Sequence, residues 1–456
     1  HYYPKRYIEN GYFIIEIEAV MIKTLMKNYG MVLVLIALCI LFSILTIKEQ
    51  NPDSESAANQ IVKNIQQSYA QNDMILTVGS LNKDSETFAV SLKEKLEFNG
   101  YKNIVLVNGI PRDLRLALDS LKLAQKNPVL IATSGDVVKW RIIERFPEFY
   151  PELADCEIII PKTYFWPDFL RKSNFVAIVD RIVVIAVIAI GMTMVIITGG
   201  IDLSVGSLIA VSAVVSTIIM KMMGGLEASG WAVFIGFLSG IFACGILGGF
   251  GGFLVAKFKV PPFITTLAIM LMGRGLAFMI TGGFSIYQVP KTLPWIGQGT
   301  TFGFPNTVIL LVLLYFIAYI FMSRTHIGRY IYAVGGNQEA AHLSGVPVKN
   351  IIIFVYIISG ITAGIGGCIQ ASQLNTGTPN MGLMYELYVI AAVVVGGASL
   401  SGGAGRILGT LIGAFIISVI QNGMNLLGME SYTQQVMLGL VILIAVVIDK
   451  TRIGKL

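Results

Sequence analysis

The stretch VIITGGIDLSVGSLIAV, Val195 to Val211, decides how the chain is read. An apolar run stops at Gly199-Gly200, one carboxylate follows at Asp202, and a second apolar run begins at once. An aspartate inside a bilayer costs at least about 2.5 kcal/mol on insertion scales, so it needs a structural or functional reason. The pattern predicts a broken transmembrane helix, with glycine allowing the turn and a new helix N-terminus just beyond it. In the structural reading Asp202 caps a helix that starts at Leu203 by accepting from its free N–H groups.

The chain around this stretch has the composition of a membrane protein. Of 456 residues, 55% are hydrophobic and 13% charged, where soluble domains carry about 25% charged residues. The 48 glycines suit closely packed transmembrane helices. Residues 51–172 hold 15 Lys/Arg and 16 Asp/Glu, whereas 173–456 hold only 13 and 7. The chain therefore has two solvents, with a water-soluble insert inside a membrane protein.

Apolar runs lie near Val176–Thr198, Leu203–Met220, Trp231–Ala256, Phe263–Ile280, Thr307–Phe321, Ile351–Ala371, Leu387–Val395, Ile407–Leu427 and Val436–Ile448. A further run, Gly30–Ile47, follows Lys23 and Lys27 and lacks a small-residue cleavage site, so it is read as an uncleaved first helix. The fold expected is a polytopic α-helical membrane protein of about ten transmembrane helices, some broken, plus a small α/β extracytoplasmic domain. Its divisions are a non-native or mis-started leader at 1–20 ahead of Met21, a first transmembrane helix at 21–48, the α/β insert at 49–172 and the main transmembrane domain at 173–456.

Lys257, Lys259, Arg324, Arg329, Lys450, Arg452 and Lys455 flank apolar runs, which is positive-inside patterning with both termini cytoplasmic. That placement explains the net charge of +6 and argues against a nucleic-acid partner. The insert reads as strands at Met74–Val78, Ile104–Val107, Val129–Ala132 and Glu157–Ile160, alternating with helices at Ser85–Asn99, Arg112–Lys126 and Val137–Phe146. Such alternation implies a parallel sheet. Cys39, Cys156, Cys244 and Cys368 have no metal-ligand spacing.

The opening stretch has an echo. Gly396-Gly397-Ala398-Ser399-Leu400-Ser401-Gly402-Gly403 also lies between two apolar runs, so a second break is expected there. Arg274 sits between Gly273 and Gly275 inside an apolar run, where it can pair with Asp202 or Glu386 or bond to free carbonyls at a break. Gly245/Gly249, Gly248/Gly252 and Gly405/Gly409/Gly413 are spaced for close helix packing, with a dimer contact as the alternative.

Four blocks together resemble the permease subunits of ribose-, xylose- and galactoside-type ABC sugar importers. They are VIITGGIDLSVGSLIAV, PPFITTLAIMLMGRGLAFMITGG (Pro261–Gly283), RYIYAVGGNQEAAHLSGVPV (Arg329–Val348) and YELYVIAAVVVGGASLSGGAGRILGTLIGA (Tyr385–Ala414). The resemblance implies a cell-membrane, multi-pass, non-enzymatic permease of a binding-protein-dependent importer that carries a monosaccharide or related polyol. It implies that Glu339, Ala340, Ala341 and Gly345 form the loop that docks on the ATPase. Asp202, Ser204, Arg274, Ser399 and Ser401 become candidates for the translocation pathway or for structural roles at the breaks. The implied partners are an ABC ATPase subunit, an extracytoplasmic sugar-binding protein, a second copy of the chain as a homodimer, and membrane lipid. No catalytic residue, metal or cofactor is expected. The chain has no G-x-x-x-x-G-K-[ST] loop, so ATP must be used by another subunit. The insert departs from the family pattern and resembles one lobe of a two-lobed sugar-binding protein. The rival readings are an ion-coupled secondary sugar transporter and a sensor or receptor.

Overall fold

The computed structural model describes residues 30–50, 52 and 54–453. The expected leader, Met21, Lys23, Lys27 and Lys455 lie outside these residues. The chain divides into two compact units, Ile47–Asp168 and the remainder.

Helix α1, Gly30–Leu45, belongs to the larger unit. It ends sooner than the apolar run predicts. Thr46 Oγ1 donates to Phe42 O (2.6 Å) and accepts from Phe169 N (3.1 Å), and strand β1 (Ile47–Gln50) comes directly after. β1 pairs antiparallel with β6 (Tyr164–Pro167), Ile47 opposite Pro167. Extended backbone at residues 47 and 48 thus replaces the expected helix, because Ile47 pairs with Pro167, 120 residues later in the chain.

Between these strands lies a parallel sheet of β2 (Ile75–Ser80), β3 (Ile104–Gly109), β4 (Leu130–Thr133) and β5 (Glu157–Ile159), in the order β3-β2-β4-β5. Three helices accompany it: α2 (Ser54–Ser68), α3 (Lys83–Phe98) and α4 (Pro111–Leu123). α2 was not expected, although Ala58, Ile61, Val62 and Ile65 recur at helical spacing and are all buried. The helix expected over Val137–Phe146 is instead three short turns, Val137–Lys139, Arg141–Glu144 and Phe146–Phe149. Trp140 is extended (φ −70°, ψ 131°) and parts the first two turns, and Pro147, with no N–H to give Ile143 O, keeps the last from continuing the second. At the strand ends Ser80 and Ser134 each donate to Asp136 at 2.5 Å. Burial opposes ionisation of Asp136, but these donors outweigh it and hold the carboxyl below the usual range.

The larger unit resumes with α5 (Lys172–Ile197), α6 (Val205–Met222), α7 (Gly230–Phe258), α8 (Pro262–Thr281) and α9 (Asn306–Arg324). Two short helices come next, α10 (His326–Gly336) and α11 (Gln338–Leu343). Then come α12 (Val348–Leu374), α13 (Tyr385–Val395), α14 (Ile407–Leu426) and α15 (Ser431–Ile453). Among the described residues, seven helices are long and apolar enough to cross a membrane: α5 to α9, α12 and α14.

α5 is the axis of this unit, with every residue from Ile182 to Ile197 buried. Glycine sets how close its neighbours come. A Cβ on Gly248 of α7 would overlap Tyr356 O of α12, and one on Gly360 of α12 would overlap Cys244 O of α7. A Cβ on Gly409 or Gly413 of α14 would overlap the carbonyls of Gly396 or Ala392. The glycine-spaced faces therefore pack helices within one chain.

Candidate functional site

Both predicted breaks are present, and they open in the same way. α5 ends at Ile197, and Gly199 lies just beyond it in the left-handed region (φ 79°). Gly199 N–H donates to Ile196 O (2.9 Å) and Gly200 N–H to Val195 O (3.0 Å). At the end of α13, Gly397 (φ 86°) donates to Val394 O (2.9 Å) and Ala398 N–H to Val393 O (3.1 Å). Each is a Schellman turn that satisfies the last carbonyls of its helix, with glycine at the position that requires positive φ. The geometry aligns Gly199 with Gly397, one residue out of step with the sequence echo. Asp202 accordingly matches Leu400 rather than Ser399.

The first break then encloses its charge. α6 begins at Val205, two residues beyond the expected start, so Asp202 does not cap it. Asp202 is 0% exposed. Its Oδ1 accepts from Ser204 N (2.9 Å) and Ser204 Oγ (2.6 Å), and its Oδ2 from Ser359 Oγ of α12 (2.7 Å). The carboxylate thus folds the linker onto itself and ties it to α12. Over the linker, the Tyr356 hydroxyl is buried with no hydrogen-bond partner among the described residues, 2.7 Å from where a Gly200 Cβ would stand.

Arg274 of α8 takes the carbonyl alternative. Its Nη1 donates to Pro379 O (2.6 Å) and Met381 O (2.7 Å), and its Nη2 to Gly206 O (3.3 Å). It therefore fastens the loop between α12 and α13 to the first turn of α6. Glu386 lies close enough to interact electrostatically with Arg274, and its carboxylate covers Gly206.

The second break carries no buried charge. Ser399 N–H donates to Ala404 O (3.0 Å), Gly402 N–H to Ser399 O (3.0 Å) and Ser401 N–H to Ser399 Oγ (3.3 Å). Gly402 (φ 85°) and Gly403 (φ 74°) are both left-handed, and Ser401 is exposed. The two breaks meet where Gly403 N–H donates to Ile197 O at 2.8 Å.

The end of α10 adjoins this meeting point, and α11 follows it in the chain. Asn337 Oδ1 caps α11 by accepting from Ala340 N (2.9 Å). Glu339 and Ala340 are exposed, Ala341 is buried, and Leu343 at the tip is 87% exposed. Gly345 (φ 82°) closes the helix with a third Schellman turn, as Gly345 N–H donates to His342 O and Val346 N–H to Ala341 O, both at 3.0 Å. The spacing between Ala341 and Gly345 is the length of that cap.

The description "branched-chain amino acid transport system / permease component" names the family whose pattern matches residues 174–446. The chain belongs to this family. The permease is 40% identical over 291 residues to the ribose import permease protein RbsC of Escherichia coli (strain K12), covering 63% of this chain and 88% of that one. It is 40% identical over 288 residues to RbsC of Bacillus subtilis (strain 168), covering 63% and 87%. It is 35% identical over 295 residues to the L-arabinose transport system permease protein AraH of Escherichia coli (strain K12), covering 65% and 88%. No solved structure matches it. The permease is thus the translocation subunit of an ABC importer, with multiple membrane-spanning helices, and the ion-coupled alternative is not favoured.

Sequence reasoning found the residues that break the helices, together with Asp202, Ser204 and Arg274, and missed Ser359 and Tyr332, which tie the breaks to neighbouring helices. Ser359 carries no sequence signal, being one small polar residue in an apolar run. Gly335-Gly336 is a doublet like those at both breaks and marks the end of α10. Tyr332, whose hydroxyl donates to Gly405 O (2.8 Å), lies one turn before it.

Proposed function

We propose that the permease forms the path of a monosaccharide or related polyol across the cell membrane, powered by a separate ATPase that docks on Glu339, Ala340, Ala341 and Gly345. The exposed α11, capped at both ends and tipped by Leu343, is the observation that carries this reading. A short helix held rigid at the surface with its apolar tip unpartnered suits insertion into a cleft of another protein. An extracytoplasmic sugar-binding protein delivers the substrate, and the sugars named for the relatives support that substrate class.

The seven long helices and the three shorter apolar ones, Gly30–Leu45, Tyr385–Val395 and Ser431–Ile444, make ten crossings. Ten crossings put both termini in the cytoplasm, with α10 and α11 on the same side as Lys257, Lys259, Arg324 and Arg406. One chain supplies one docking helix, and an ATPase with two nucleotide sites needs two, so two copies assemble about a two-fold axis. Asp202, Ser204, Arg274, Ser399 and Ser401 shape the pathway at the breaks. The insert at 49–172 faces outward and receives the loaded binding protein.

Gly345→Val tests the docking reading. Valine is strained at φ 82°, so the cap of α11 is lost while the membrane helices are untouched. The expected result is normal membrane insertion, continued ATP hydrolysis and lost sugar uptake. Unchanged, ATP-dependent uptake would overturn the assignment.

A further inference from the structure

The two segments that leave α11 both run to the breaks. On one side, Asn337 alone separates α11 from α10, and the end of α10 sits against both breaks. A Cβ on Gly335 would overlap Ile197 O and stand 2.7 Å from Gly403 N. A Cβ on Gly402 would stand 2.9 Å from Gly335 O and 3.2 Å from Gly199 Cα. Tyr332 extends this contact through its bond to Gly405 O. On the other side Pro347 leads into α12, whose Ser359 holds Asp202.

The contacts at Gly335 and Gly402 are backbone against backbone, with no flexible side chain between to absorb movement. Close-packed interiors change by switching arrangements rather than by continuous deformation. α10 buries Gly328, Ile331 and Val334 along one face and forms a packed rod about 16 Å long. We propose that the C-terminal end of α10 is a wedge through which displacement of α11 reaches both breaks together, with Gly335 and Tyr332 as its positioning residues. The proposal rests on the reading of α11 as the ATPase-docking helix.

Gly336 provides an internal control. It is the next residue, also helical, but a Cβ there meets nothing within 4 Å. Gly335→Ala and Gly336→Ala are the same chemical change, with opposite expected outcomes. The test uses the complete transporter with its ATPase, carrying Ser401→Cys at the exposed position of the second break. Its maleimide labelling rate is read with and without ATP and vanadate, against the parent lacking that cysteine. This readout needs no knowledge of the sugar. Cross-linking of Glu339→Cys to the ATPase reports docking separately.

In the unaltered wedge and in Gly336→Ala, nucleotide should change the labelling rate. In Gly335→Ala the change should vanish, and in Tyr332→Phe it should shrink by about fivefold, the scale of one hydrogen bond, with cross-linking retained in both. If Gly335→Ala fails to assemble, Tyr332→Phe against Gly336→Ala decides. A full nucleotide response in the wedge variants, or none in the unaltered wedge, with cross-linking intact, would overturn the proposal. Loss of cross-linking in every variant would instead remove the docking reading, and the proposal with it.

Discussion

The two breaks begin as the same object and end as different ones. Each closes its helix with a left-handed glycine, Gly199 or Gly397, and the same pair of backbone bonds. Beyond that point the first break is tied by a buried carboxylate with three donors, one of them from α12. The second has Leu400 where the first has Asp202, with two further left-handed glycines and an exposed Ser401. A glycine pair sets where a helix stops, and the residues of the linker set how firmly the stop is held. The first break is built as an anchor and the second as a joint.

Substitutions should separate the anchor from the joint. The largest effect is expected for Asp202→Ala, which leaves Ser204 N, Ser204 Oγ and Ser359 Oγ buried without their acceptor. Each stranded group costs about 1–3 kcal/mol, so the variant should be poorly recovered from membranes and melt far below wild type in detergent. Ser359→Ala removes only the tie to α12 and should lower stability by about 1.5–3 kcal/mol, the range for a bond to a charged group. Gly403→Ala forces alanine into the left-handed region and should cost about 1–2 kcal/mol, visible as a small melting shift with a larger loss of transport rate. Ser401→Ala, at an exposed position, should stay within about 0.5 kcal/mol of wild type. If Ser401→Ala proves as costly as Asp202→Ala, the breaks are equivalent and the contrast fails.

The sequence was most legible where a single residue type answers a single physical demand. Gly199, Gly397 and Gly345 mark helix ends because only glycine sits easily at positive φ. The long apolar runs mark helices that must satisfy their own backbone in lipid. Pairing over long separations was not legible. β1 and β6 are short, and nothing in Ile47–Gln50 announces Tyr164–Pro167 as its partner. Ser359 was invisible for the same reason, since it matters only because α12 crosses the first linker. The echo between the breaks was visible but misaligned by one, because matching letters gave no weight to which glycine has positive φ. The partners of Arg274 were left open between carboxylates and carbonyls, a choice that depends on where the loop after α12 lies.

The most direct measurement is substrate uptake into proteoliposomes holding the permease, its ATPase and the loaded binding protein. Labelled D-ribose is the first probe, then other pentoses, hexoses and polyols. An ATP-driven importer should take up at least one of these sugars, with uptake that requires ATP and persists when every ion gradient is collapsed. Uptake that proceeds without ATP and depends on a proton or sodium gradient would contradict this.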